Sequence, residues 1–146
     1  MYALDTNILV YAHNIDSGFN EKACSFLEEQ MNNRDYYGQL PICIPSQVFM
    51  EFINVITRQN VKNSLSLKEA ISIVKDYIDS GIRIINPKES QVSTLLSLLE
   101  KVTTRKKVFD VSLVATLKDN NIKGIYTVNV KDFIEFDFLK VENPLI

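Results

Sequence analysis

Four acidic positions interrupt the alternation of apolar and polar residues in this chain, and their types and places point to chemistry. Asp5 directly follows the apolar run Tyr2-Ala3-Leu4 and precedes Thr6-Asn7 and Ile8 to Tyr11. Glu51 lies at the edge of a stripe made by Val48, Phe52, Val55 and Ile56. With residues placed 100° apart around a helix, Asp110 falls inside the apolar arc of Val111, Leu113, Val114, Ala115 and Leu117. Asp132 closes the run Thr127-Val128-Asn129-Val130-Lys131-Asp132, which offers a hydroxyl, an amide and an acid after a short apolar segment.

Each position has an ordinary explanation when taken singly. Asp5 and Asp110 suit helix caps, Glu51 suits a solvated edge, and Asn129 and Asp132 suit a turn. Taken together, three of the four acids fall at strand ends or helix starts on one rim of a parallel sheet. Carboxylates gathered there repel by roughly 4 kcal/mol per pair at about 4 Å and an effective dielectric of about 20, so the cluster calls for a cation. Oxygen ligands without a cysteine pair or histidine cluster favour Mg²⁺ or Mn²⁺ over zinc. Such an ion lowers the pKa of a bound water, orients it in line with a phosphodiester and stabilises the leaving 3′ oxygen.

The elements that must hold these acids follow from periodicity. Strands are expected at Tyr2 to Leu4, Ile42 to Ile44, Ile82 to Ile85, Gly124 to Thr127 and Leu139 to Val141. Helices are expected over Lys22 to Met31, Gln47 to Arg58, Leu67 to Asp79, Ser90 to Lys101 and Asp110 to Asn120. Pro45-Ser46 and Ser66 mark helix starts, and Asn86-Pro87 closes the third strand. Asn32 to Gln39 and Asn60 to Ser64 read as surface loops. Strands alternating with helices give an α/β class with a mainly parallel sheet of about five strands, and the 146 residues fit one domain.

Composition narrows the function classes. Four glycines leave no room for a G-x-G-x-x-G or G-x-x-x-x-G-K-[ST] phosphate loop. A net charge of −2 announces no basic field, so any nucleic-acid contact must use a local patch. Cys24 and Cys43 lack C-x-x-C spacing and His13 is the only histidine, against a zinc site or a disulfide framework. No apolar run reaches about 18 residues and no secretory signal is legible, so a cytoplasmic location without a membrane is expected.

At these residues the chain resembles the PIN-domain family, and specifically the small VapC-type ribonuclease toxins of toxin-antitoxin pairs. The resemblance runs through LDTNILVYA (Leu4 to Ala12), PSQVFMEFINVITR (Pro45 to Arg58), FDVSLVATLKDNNIKGIYT (Phe109 to Thr127) and VNVKDF (Val128 to Phe133). It implies a three-layer α/β/α fold and a metal-dependent endoribonuclease. Asp5, Glu51 and Asp110 become its metal-binding and catalytic acids, with Thr6, Asn7 and Thr127 as polar companions in the pocket. Family members often carry a fourth acid two residues after that threonine, where this chain has Asn129. Asn129 then serves as a weaker metal ligand, or Asp132 takes the catalytic place. The resemblance also implies Mg²⁺ or Mn²⁺, an RNA substrate, a homodimer and a separate cognate antitoxin protein.

Arg105, Lys106 and Lys107, just before Asp110, are expected to hold the RNA backbone, and Arg58 and Lys62 beyond Glu51 are further candidates. His13 is expected to be packed or at the surface, and Tyr36-Tyr37 to be loop residues with base stacking as the functional alternative. Leu95, Leu96, Leu98 and Leu99 read as core. Other strand-end aspartate enzymes fit poorly: a haloacid-dehalogenase pattern needs D-x-D-x-[TV], and here Asp5 is followed by Thr6-Asn7-Ile8-Leu9. A receiver domain needs an acidic pair at the first strand and an acid at a mid-chain strand end, where Asn86-Pro87 stands instead. The remaining alternative is a catalytically impaired PIN-like module that binds RNA or protein.

Overall fold

A computed structural model of the chain describes residues 1–59 and 63–146. The expected loop from Asn60 to Ser64 falls mostly, and Lys62 wholly, outside the described residues. The strands are β1 (Tyr2–Leu4), β2 (Ile42–Pro45), β3 (Arg83–Ile85), β4 (Gly124–Tyr126) and β5 (Lys140–Glu142). The helices are α1 (Thr6–His13), α2 (Asn20–Met31), α3 (Ser46–Ile56), α4 (Leu67–Asp79), α5 (Gln91–Lys101) and α6 (Val108–Asp119), with a 3₁₀ turn at Val130–Asp132. All strand pairings are parallel and the sheet order is β3-β2-β1-β4-β5.

This order fixes the layers. The chain leaves β1 toward β2 and β3, then returns past β1 to β4 and β5. Right-handed crossovers therefore put α1 to α4 on one face and α5 and α6 on the other. The contacts of α1 with α2 and α3, of α3 with α4, and of α5 with α6 follow that division. The reversal point lies between β1 and β4, and ligand crevices in open α/β sheets form outside the carboxyl ends of the strands at such a point.

Burial explains which segments became strands and helices. The interior strand β2 is buried at every position, whereas the edge strands β3 and β5 carry exposed residues. On α3, Val48, Phe49, Phe52 and Ile56 are buried at helical spacing. Ser66 begins α4 with a capping box, its hydroxyl accepting from the Glu69 amide while the Glu69 carboxylate accepts from its own. Helix α6 starts two residues before the expected Asp110, because Val108 and Phe109 are helical yet exposed and so leave no mark in the apolar pattern. Asp110 is thus a first-turn residue and not the cap, a place that still suits an acid near a helix amino terminus.

One close approach locks β1 against β4. A Cβ on Gly124 would lie 2.6 Å from ring atoms of Tyr2. That ring cannot easily swing away, since it stacks on Tyr126 at 4.4 Å and its hydroxyl donates to Glu142 at 2.9 Å. Gly124→Ala is expected to destabilise the fold by about 1–3 kcal/mol through overpacking. Urea unfolding checks this, and an unchanged midpoint would mean that the ring yields freely.

Candidate active site

Asp5 ends β1 and caps α1, which puts its carboxylate at the reversal point of the sheet. The expected capping role is present, with Oδ1 accepting from the Thr6 amide at 2.8 Å. The other oxygen does something a cap does not need. Oδ2 accepts from the Thr127 hydroxyl at 2.6 Å and from Asn7 Nδ2 at 3.0 Å. Thr127 is fully buried just past β4, and its hydroxyl also accepts from Asn7 Nδ2 at 3.2 Å and from the Asn129 amide at 3.0 Å. One donor and two acceptor positions exhaust a hydroxyl, so Thr127 is held in a single orientation. Asn7 completes the link by accepting from the Val128 amide through Oδ1 at 3.2 Å.

Glu51 and Asp110 approach the same groove from the two helical layers. Glu51, half-buried on α3, accepts from the Thr6 hydroxyl at Oε2 and from Gln47 Nε2 at Oε1, both at 2.8 Å. Gln47 Nε2 also donates to the Phe109 carbonyl at 2.9 Å, tying α3 to the start of α6. Asp5, Glu51, Asp110, Asn129 and Lys107 line one groove of about 470 Å³ together with Thr6 and Asn7; Val10, Tyr11, Val55 and Phe133 complete its walls.

The electrostatics show charge gathered against its own preference. Asp5 is only 7% exposed, and burial pushes its pKa from 3.8 up to about 6. The Thr127 and Thr6 hydrogen bonds oppose that rise, while the charges of Asp110 and Glu51 add to it. The Asp110 pKa is likewise raised, by burial first and then by Asp132 and Glu51, against Lys107 and Lys106. Asp132, in the 3₁₀ turn, is the neighbouring charge that weighs most on Asp110, and Asn129 stands exposed at the groove.

The basic residues divide. Lys107 lines the groove, whereas Arg105 is exposed and is not part of its lining. Lys106, expected on the substrate, is instead engaged with Glu135 at 3.4 Å and with the Lys131 carbonyl at 3.3 Å. Arg58, beyond the end of α3, is exposed and lies outside the groove lining. Tyr36 and Tyr37 precede β2 and so sit at the opposite end of the sheet from the groove. His13 is packed, its Nε2 2.7 Å from the Tyr77 hydroxyl, with burial lowering its pKa. Leu98 is buried as expected, but Leu96 is exposed.

A family model described as the PIN domain matches residues 2–139. The chain belongs to the PIN-domain family. Ribonuclease VapC24 of Mycobacterium tuberculosis (strain CDC 1551 / Oshkosh) is 25% identical over 148 residues, covering 99% of this chain and 97% of that protein. Among solved structures, VapBC2 from Rickettsia felis, bound to a DNA fragment from its promoter, matches with a TM-score of 0.68 at 23% identity over 97% of each chain. VapC20 of Mycobacterium tuberculosis, described as a sarcin-ricin loop cleaving toxin, matches with a TM-score of 0.66 at 10% identity, covering 88% of this chain and 90% of that one. These structural likenesses establish the fold, α/β with a five-stranded parallel sheet between helices.

Within this PIN domain, Gln47 lies outside the groove lining but bonds to Glu51, a role not expected from its residue type. Its signal was available, since Gln47 and Glu51 stand four apart and so share one face of a helix. The burial of Asp5 also sets a pH dependence. The folded chain holds its proton more tightly than the unfolded chain, so Asp5 lowers stability as pH rises from about 4 through 6. At about 1.4 kcal/mol per pKa unit the full effect is roughly 3 kcal/mol. In chelator, wild-type stability relative to Asp5→Asn is expected to fall across that window and level off above about pH 7. Thermal unfolding of both proteins from pH 4 to 8 checks this, and a constant offset would refute it.

Proposed function

We propose that this PIN domain is a metal-dependent endoribonuclease and the toxin of a type II toxin-antitoxin pair, with all 146 residues acting as one domain. The observation that carries the reading is the groove at the ends of β1 and β4. Three acids from separate elements face it, and two of them, Asp5 and Asp110, are held above their ordinary pKa by burial and by neighbouring acids. The full-length match to a protein named as a ribonuclease supports the same activity.

The donor set fits a hard divalent cation. Every polar ligand candidate on the groove, Asp5, Glu51, Asp110 and Asn129, offers oxygen. Among the described residues no group of three or more acids, histidines or cysteines is gathered closely enough to hold a metal ion by itself. Mg²⁺ keeps several waters and binds through one or two carboxylates plus substrate phosphate, so the proposed site does not require such a group. When bound, Mg²⁺ or Mn²⁺ supplies the charge that offsets the acids and activates water at a phosphodiester.

The chain's own residues divide the remaining work. Thr127 and Asn7 hold the Asp5 carboxylate in place, and Thr6 and Gln47 do the same for Glu51. Asp110 presents a third carboxylate from α6, and Asp132 adds negative charge beside it in place of the acid absent at position 129. Lys107, with Arg105, contacts RNA phosphate, while Lys106 chiefly braces Glu135. A cognate antitoxin and a homodimer accompany this reading, and a structural neighbour described as a toxin-antitoxin complex from Klebsiella pneumoniae supports the antitoxin. No helix among the described residues is long and apolar enough to cross a membrane, which is compatible with the proposed cytoplasmic location.

End-labelled total RNA incubated with purified protein in Mg²⁺, in Mn²⁺ and in EDTA is expected to give discrete fragments only with metal. Asp5→Asn and Asp110→Asn should reduce cleavage by about 100-fold or more, as losses of charge-stabilising groups do. In parallel, Mn²⁺ should raise the melting temperature of the wild type, and Asp110→Asn should abolish the rise. Absence of both cleavage and metal stabilisation in folded, antitoxin-free protein would replace this reading with an RNA- or protein-binding module.

A further inference from the structure

We infer that Gln47 is a positioning residue that sets the separation between the acid on α3 and the acid on α6, an inference resting on the metal-nuclease reading of the groove. Its Nε2 donates to Glu51 Oε1 at 2.8 Å and to the Phe109 carbonyl at 2.9 Å. Neither a carboxylate nor a carbonyl can donate, so the amide has one orientation and both of its hydrogens are used. Phe109 immediately precedes Asp110. The two bonds therefore fasten the Glu51 carboxylate to the backbone of the turn that presents Asp110.

Without such a brace the two acids would tend to move apart. Glu51 and Asp110 line the same groove, so their like charges repel across it. The Thr6 hydroxyl holds the second Glu51 oxygen, so the carboxylate is fixed at both ends. Each oxygen accepts one of these bonds and has further acceptor capacity left for a cation. A lysine or arginine at position 47 could make the same contacts, but its charge would neutralise the acid and compete with the metal. A neutral amide orients Glu51 and leaves its charge available. Among the described residues the ion pairs are Lys106 with Glu135 and Lys140 with Glu142, and neither involves Glu51. Gln47 thus acts one contact away from the metal position, where loss of an orienting partner commonly weakens metal binding 10- to 100-fold.

The test is Gln47→Met, which keeps the length of the side chain and removes both donors. Mn²⁺ affinity of the metal-free protein is read by calorimetry, and metal-free melting is recorded beside it. The expected result is a Kd for Mn²⁺ weaker by 10- to 100-fold with the metal-free melting temperature little changed. A lowered melting temperature with Mn²⁺ affinity within about twofold of wild type would show a merely structural amide and overturn the inference. Wild-type protein that binds no Mn²⁺ would overturn the nuclease reading as well. Should Gln47→Met fail to fold, the side-chain amide resonances of Gln47 in the wild type decide the matter. Slow solvent exchange and a shift on adding Mg²⁺ support the brace, whereas fast exchange and no shift overturn it.

Discussion

Holding a carboxylate in a nearly dry place is the demand that organises this molecule. Asp5 is buried at the end of β1, and the chain surrounds it with donors rather than with a cation: the Thr6 amide, the Asn7 amide group and the Thr127 hydroxyl. Those bonds recover part of the lost hydration, but the pKa still rises to about 6. The donors come from α1 and from the segment after β4, so the same interactions that tolerate the charge also join the two central strands at their carboxyl ends. Under the proposed function, such unrelieved charge would provide affinity for a divalent cation, and the stability given up without metal would be the physical counterpart of that affinity.

The groove also shows how a weakly acidic chain can approach a polyanion. With a net charge of −2 the surface supplies no general attraction for RNA. Its acids are concentrated where a cation can offset them, and Lys107 stands at the same groove with Arg105 close by in sequence. Lys106 is engaged with Glu135, so the basic triplet is divided between holding the structure together and facing solvent. Under the proposed function, phosphate contact would therefore depend on a small patch whose placement matters more than its total charge.

The acids are braced mainly by neutral groups. Thr6, Asn7, Gln47 and Thr127 orient carboxylates through hydroxyl and amide hydrogens without cancelling their charge. In binary-pattern terms these residues are ordinary polar positions in turns and helix starts, which is why only some of them stood out. Thr6, Asn7 and Thr127 were legible because they sit beside an acid or at a strand end in a family motif. For Gln47 the spacing of four from Glu51 was the one signal, and it was weak, since a glutamine in the first turn of an amphipathic helix reads as a solvated residue until its partner on another helix is known. The true start of α6 was hidden for a related reason: Val108 and Phe109 are helical but exposed, so burial periodicity could not report them.

The sequence by itself determined the element types, most of their boundaries, the α/β class and the three principal acids. Local signals carry that information: apolar runs of strand length, helical spacing on α3 and α6, the Ser66 capping box, and acids placed against the apolar pattern. Tertiary structure alone decided which of the chosen residues meet. It sent Tyr36 and Tyr37 to the far end of the sheet, turned Lys106 toward Glu135, left Arg58 outside the groove and brought Gln47 to the backbone beside Asp110. These outcomes depend on crossover handedness and on pairings between distant residues, such as Asp5 with Thr127, 122 positions apart, and Tyr2 with Glu142, 140 apart. Periodicity reports the face of an element that is buried, but not which distant segment covers it.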